Sequence, residues 1–307
     1  DFASTNGYMH ACGHDLHMAM GIGAAHLVAE NKDKLNGNVL MFFQPGEEGH
    51  DGAGAMLAQN MHMVSGEKPI AAYGLHVFSL PEPGIFMSRK DTMMASAGDM
   101  IVKISGRGGH GSMPWTAQDP ITGMIEILST MQSYIAKNFD ALDPIVVNVG
   151  WIKAGDDHTT NIVPETVSFG ATVRSFSKKG YADTREKLPA FITKMAESMG
   201  LSAEVEFSPA TKVLINHHQP VDRVEALTKE MFGAQRYFNM PTPIPGGEDF
   251  ASILEEIPGA FVFLGAAYPG LAPNERESNH SNKAKYNEDV MADGAALLAA
   301  LAFDALS

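Results

Sequence analysis

Val39-Leu40-Met41-Phe42-Phe43-Gln44-Pro45-Gly46-Glu47-Glu48-Gly49 is an unbroken apolar run that ends in a turn and a pair of acids. Five apolar residues in a row read as a strand buried on both faces, the form that strands take in parallel sheets. Upstream, Leu16, Met20, Gly23, Ala24 and Leu27 recur at helical spacing, and Glu30-Asn31-Lys32 ends that pattern. Downstream, a helix is expected near 53–63 and a second short strand over 71–77, closing on Leu75-His76-Val77. Strands and helices alternating in this way predict a parallel α/β sheet. Chemistry in such sheets gathers beyond the carboxyl ends of the strands, where Glu47, Glu48 and His76 all fall.

Beyond residue 97 the rhythm changes. Strands at 100–105, 145–152, 166–176 and 203–207 are interleaved with helices over 120–137 and 181–199. That order, β-α-β-β-α-β, is the ferredoxin-like unit. It reads as an inserted domain over 98–209, about 110 residues, a normal size for a small domain. The surrounding α/β domain is then made of 1–97 and 210–307. Its second half carries a helix near 221–232 and a Gly246-Gly247-Glu248-Asp249-Phe250 turn into another helix. A strand over 260–265 and a C-terminal helix over 288–306 complete it.

With 307 residues and 45% hydrophobic content, the chain can build two packed cores. A net charge of −14 without a basic run excludes nucleic acid as a natural partner. No apolar stretch approaches the roughly 18 residues of a membrane span. The single cysteine excludes an internal disulfide framework and fits a reducing cytoplasm.

That cysteine sits in Met9-His10-Ala11-Cys12-Gly13-His14-Asp15-Leu16-His17. A lone thiol packs, attacks or binds metal. On a helix Cys12 and His14 would point about 200° apart, whereas in an extended segment both face one side. Thiolate and imidazole together are a soft pair suited to zinc or a similar transition metal. Asp15 is placed to orient a ligating imidazole. His17 is either a further ligand or a residue that lines the pocket, and the plainer reading is favoured for it and for His10. Of the adjacent acids, one carboxylate can bind metal while the other faces the substrate as general base.

His76, at a strand end beside those acids, reads as a ligand. His280 lies in Ser278-Asn279-His280-Ser281 and reads as either a ligand or a surface histidine. In Gly106-Arg107-Gly108-Gly109-His110-Gly111-Ser112-Met113-Pro114 a histidine stands on a flexible loop. It is a candidate donor over a substrate carbonyl, the alternative being an ordinary Gly-rich turn. Arg174, late in a strand, either pairs bidentately with a carboxylate or is simply exposed.

Taken together, Met9–His17, Gln44–Gly49, Leu75–Val77, Gly106–Pro114, Asn161-Ile162-Val163-Pro164, Gly246–Ala251 and the His280 region resemble one family. It is the metal-dependent aminoacylase and carboxypeptidase family. The branch is that of hippurate hydrolase, auxin-conjugate amidohydrolases and N-acetyl-diaminopimelate deacetylase. The resemblance implies a co-catalytic metallopeptidase-type α/β domain with an inserted dimerisation or lid domain. It implies two divalent metal ions held by Cys12, His14, Glu48, His76 and His280, with Glu47 as general base. The mixed donor set accepts zinc, manganese, nickel or cobalt. His110 would complete the site of a partner subunit in a homodimer. Asn161 and Arg174 would lie near the substrate, Arg174 at its free carboxylate, and Gly246–Asp249, with Gly247 and Glu248 among them, would line the pocket. Family members also carry a longer front with a strand ending in an Arg-Ala-Asp-type motif, so a truncated catalytic domain is expected here.

The activity implied is hydrolysis of an N-acyl amino acid to a carboxylate and a free amino acid. Glu47 would take the proton of the attacking water, and His110 would stabilise the oxyanion. The alternatives are a dipeptidase or carboxypeptidase of the same family, and a catalytically silent fragment that only binds metal or dimerises.

Overall fold

A computed structural model describes residues 4–209 and 211–307; the domain edges read at residues 1 and 210 lie outside them. In chain order the first elements are α1 His14–Glu30, α2 Glu47–His50, α3 Gly52–Ala58, β1 Ala72–Phe78, β2 Phe86–Ser88 and β3 Asp91–Met94. There follow β4 Ser96–Ser105, β5 Gly109–His110, α4 Pro120–Asn138, β6 Ile145–Ala154, β7 Ile162–Val163, β8 Thr166–Ser175, α5 Lys178–Ser198 and β9 Ser202–Phe207. The last are β10 Leu214–Asn216, α6 His218–Phe232, β11 Tyr237–Asn239, α7 Phe250–Glu256, β12 Gly259–Gly265 and α8 Val290–Ala305.

The first sheet has the order β1-β12-β2-β11. β1 runs parallel to β12, with His76 opposite Phe263, but β12 is antiparallel to β2. The sheet is therefore mixed, where the alternation of elements had predicted a parallel one. β12 is buried at every residue, as its apolar sequence requires of an internal strand. α1 buries Leu16, Met20 and Ala24, one per turn, and Leu16 and Met20 join Leu75, Val77, Leu264 and Leu297 in one core.

The apolar run at 39–43 is not a strand. No backbone ladder reaches it among the described residues, and Leu40 and Phe43 are 38% and 49% exposed. Hydrophobicity predicts burial but supplies no partner edge, and a strand exists only where its N–H and C=O groups are paired. The helix expected near 53–63 also breaks. Asn60 takes a left-handed conformation with φ 56°, and only a 3-10 turn follows at Met61–Met63.

The second large sheet, β6-β8-β4-β9, is antiparallel throughout. With α4 after β4 and α5 after β8, the chain path is β-α-β-β-α-β. β4 alternates cleanly, Met100, Val102 and Ile104 turning inward. α5 offers Thr184, Leu188, Ile192 and Ala196 at intervals of one turn, and α4 offers Met124, Ile127 and Met131. The apolar residues among these form a core of their own with Phe169. Both helices start firmly: Ser177 accepts from Gly180 N–H, and Asp119 accepts from Ile121 N–H before Pro120. Each such cap stabilises its helix by about 1 kcal/mol. Among the described residues no helix is long and apolar enough to cross a membrane.

Candidate metal centre

Cys12 lies in the turn that starts α1. Gly13, the N-cap, has φ 77°, and a Cβ there would stand 2.6 Å from Val77 Cγ2. Glycine is thus needed both for the left-handed turn and for close approach to β1. The turn is pinned from the far end of the chain: Ala11 O accepts from His280 N–H and from Tyr286 OH, both at 2.8 Å. His76 stands near the carboxyl end of β1. Its Nδ1 bonds Val77 O at 2.8 Å, and since a carbonyl only accepts, Nδ1 carries the proton. Nε2 therefore presents a lone pair toward Cys12 Sγ, 3.4 Å away.

The acids arrive on a sharp loop. Gly46 and Gly49 have φ 70° and 79°, and Asp51 at φ 48° caps α3 by accepting from Gly54 N–H. This places Glu47 Oε2 and Glu48 Oε1 each 3.8 Å from His14 Nε2. His280, itself left-handed at φ 70°, brings Nε2 to 3.0 Å from Cys12 Sγ and 3.2 Å from Glu48 Oε1.

Three donor groups result: Cys12 with His14 and His76, Cys12 with Glu48 and His280, and His14 with Glu47 and Glu48. Within each group the donor atoms lie within 4.8 Å of one another. Cys12 belongs to two of them. A thiol, three imidazoles and carboxylates converging at such distances are a fitting donor set for a divalent transition metal. A further group, Asp156, Asp157 and His158, consists of exposed neighbours in one loop.

Burial dominates the electrostatics. It lowers His14, sends His17 well below the usual histidine range and takes His76 down to about 4, so these rings are held neutral. Neutral imidazole is the form that binds metal. Burial also pushes the Cys12 thiol up to about 12, against a hydrogen bond from Asn279 that lowers it. Glu47 rises to about 7 through burial, then through the charges of Glu48 and Asp249. Glu248 is pushed well up by burial and by Glu47.

Other candidate residues stand outside the three donor groups, although the His17 ring packs against His76 and His14, with centroids 4.4 and 5.2 Å apart. His17 Nε2 accepts from Val77 N–H at 2.9 Å, so that atom is committed to the fold. Asp15 is exposed in the first turn of α1 and, among the described residues, bonds to no imidazole. His110 is exposed on the short β5–β7 ladder, beside Asn161, whose carbonyl accepts from Gly111 N–H. Neither bonds to the Cys12 cluster. Arg174 spends Nε on Pro245 O at 3.2 Å and Nη1 on Thr172 Oγ1 at 2.6 Å, leaving Nη2 without a bond among the described residues. Gly247 is required by packing, since a Cβ would stand 2.3 Å from Thr211 Oγ1 and 2.4 Å from Ala97 Cβ. Glu248, 6% exposed, accepts from Phe250 N–H at 3.0 Å.

Asn279, beside His280, and Asp249, expected only as part of the pocket lining, do more than the sequence suggested. Asn279 touches both Cys12 and the end of β1, and Asp249 reaches the segments flanking the acidic loop. Their polar side chains beside His280 and Glu248 were the only signal.

A family description, peptidase family M20/M25/M40, matches residues 1–304. The chain belongs to the M20 peptidase family. This M20 chain is 33% identical over 300 residues to an IAA-amino acid hydrolase, ILR1-like 4, of Arabidopsis thaliana, covering 96% of itself and 66% of that relative. It is 31% identical over 300 residues to the N-acetyldiaminopimelate deacetylase of Leuconostoc mesenteroides, covering 95% and 73%. Its fold matches the Bacillus subtilis YXEP protein, described as a dinuclear metal binding peptidase from the M20 family. There the TM-score is 0.78 at 26% identity, over 97% of this chain and 73% of the other. The M20 chain thus spans about two thirds of the length of its Arabidopsis relative. The family read from its motifs is the family shown.

Proposed function

We propose that the chain is a metal-dependent amidohydrolase that cleaves N-acyl amino acids to a carboxylate and a free amino acid. The observation that carries this reading is the convergence of Cys12, His14, Glu48, His76 and His280 beside Glu47. Support comes from M20 relatives whose names describe hydrolysis of an IAA-amino acid and deacetylation of N-acetyldiaminopimelate.

Two divalent ions, zinc, manganese, nickel or cobalt, would be held by those five residues, Cys12 belonging to two of the three donor groups. When bound, they supply Lewis-acid polarisation of the scissile carbonyl. Glu47 takes a proton from the attacking water on its carboxylate and returns it to the amide nitrogen as the C–N bond breaks. Arg174 offers its free Nη2 to the substrate carboxylate, with Asn161, Gly247 and Glu248 around the substrate.

The unit over 98–209 serves as the dimerisation domain. Its edge strand β6 exposes Val146, Trp151 and Ile152 at 42%, 46% and 55%, beside an unpaired backbone edge suited to a second copy. In the homodimer His110 acts on the partner's substrate as oxyanion donor, which accounts for its separation from its own Cys12 cluster. A single free thiol fits a cytoplasmic setting.

The test is metal analysis of the purified chain together with hydrolysis of N-acetyl, N-benzoyl and indole-acyl amino acids against a set of dipeptides. Bound metal and faster cleavage of the acyl amino acids are expected. Faster cleavage of dipeptides would replace this reading by a peptidase. Bound metal without turnover on either set would leave a non-catalytic metal-binding module.

A further inference from the structure

The side chain of Asn279 is the junction of three segments that build the metal centre. Nδ2 donates to Val77 O at 2.9 Å, at the end of β1. Its other hydrogen faces Cys12, with the carbonyl at 3.4 Å and Sγ at 3.6 Å. Oδ1 accepts from Ser79 N–H at 3.0 Å. The Ser79 hydroxyl is also near Oδ1, at 3.1 Å, but it has one hydrogen and a shorter bond, 2.7 Å, to Glu277 O. A carbonyl only accepts and a backbone N–H only donates, so the orientation of the amide is fixed by its partners.

The next residue is His280, held in the left-handed region at φ 70° without being glycine. Such a conformation persists where its surroundings impose it. The Ala11 carbonyl takes the His280 N–H, and the Asn279 amide locks the preceding side chain to β1 and to Cys12. One amide thereby sets the relative positions of His76, Cys12 and His280, which come from segments far apart in the chain. The Nδ2 hydrogen that faces Cys12 lies between its carbonyl and its sulfur, within reach of both.

We propose that Asn279 is a positioning residue of the metal centre, aiming Cys12 and His280 at the bound ion and donating an N–H···S hydrogen bond to the ligand sulfur. The inference rests on the metal reading of the site given above. It can be tested in the full chain with cobalt(II), whose thiolate-to-metal charge-transfer absorption reports on the sulfur directly. Asn279→Asp keeps the shape of the side chain and exchanges its donor for an acceptor. The expected result is a cobalt dissociation constant raised on the order of tenfold, with a displaced charge-transfer band. Asn279→Ala removes the amide altogether and is expected to behave alike, which keeps the test available if the aspartate prevents folding. Normal cobalt uptake by the wild type, with unchanged affinity and band in a folded variant, would overturn the role of Asn279 alone. A wild type that takes up no cobalt would overturn the metal reading itself, and this inference with it.

Discussion

Gln44 Nε2 donates to Asp249 Oδ1 at 2.7 Å, joining residues 205 positions apart. The other oxygen, Oδ2, accepts from Ala53 N–H at 3.1 Å. Gln44 and Ala53 flank the loop that carries Glu47 and Glu48, so one fully buried carboxylate grips both its ends. Burial raises the Asp249 pKa, and the bonds from Gln44 and Ala53 pull it back. Asp249→Ala leaves both donors without a partner. The expected loss is about 1–3 kcal/mol of stability, the cost of leaving the buried Ala53 N–H unsatisfied, since the half-buried Gln44 amide can turn to water. Urea denaturation measures it; a midpoint unchanged from wild type would show that the loop holds itself.

Glu47→Gln separates base from ligand. Glutamine keeps the size of the side chain but cannot accept the proton of the attacking water. Turnover should fall by about 10²–10⁴-fold, the usual contribution of general base catalysis, with metal content intact. Loss of metal in the variant would make Glu47 a ligand.

Metal removal should act on stability as well as on turnover. The donor groups tie the turn before α1, the acidic loop, the end of β1 and the His280 segment together. An ion present at one hundred times its dissociation constant adds ~2.7 kcal/mol to the folded state. Chelation should therefore lower the thermal midpoint and abolish hydrolysis, and added zinc, manganese, nickel or cobalt should restore both. A midpoint indifferent to chelator would mean that the cluster folds without metal and gains nothing from it.

Part of this was legible in the sequence, and the boundary has physical causes. α1, α4, α5 and α8 follow from apolar residues recurring once per turn, a local property. β12 follows from a continuous apolar run, but the same signal failed at 39–43, where no strand edge meets the run. β2 and β11, at three residues each, are too short for any period to show. In the site, Cys12, His14, Glu47, Glu48 and His76 stand out by residue type and place in their elements. Asn279 and Asp249 do not, because their roles consist of contacts across the fold. Arg174 shows the same limit: nothing in its chain position indicates that the Pro245 carbonyl occupies part of the guanidinium.

Glu255 in α7 offers a pH test away from the cluster. Its Oε1 lies 3.1 Å from Lys178 Nζ at the start of α5, and its Oε2 2.6 Å from Lys212 Nζ. Burial would raise its pKa, but the bonds from Lys212 and Lys178 prevail and hold it below the ordinary 4.5. A carboxyl depressed in the folded state stabilises fully above its unfolded value, and that contribution is lost as pH falls through the folded one. Glu255→Gln should thus cost stability at neutral pH, at most about 1 kcal/mol per pair because all three groups are partly solvated. The difference from wild type should shrink as pH drops below 4.5. A difference independent of pH would assign the effect to packing.

Gly13→Ala tests whether the turn geometry makes the site. At φ 77° the new Cβ meets the left-handed penalty of roughly 1–2 kcal/mol, and in addition it stands 2.6 Å from Val77 Cγ2. Val77 is wholly buried, and its N–H and carbonyl hold His17, His76 and Asn279, so it has no room to retreat. The strain must instead move the turn, carrying Cys12 and His14 away from His76. Stability should fall by about 2 kcal/mol or more, and metal affinity should fall with it even where the variant remains folded. Calorimetry and chelator competition on one preparation distinguish the two effects. Lowered stability with wild-type metal affinity would show that Cys12 and His14 are held by Ala11 and the His280 segment, not by the glycine turn.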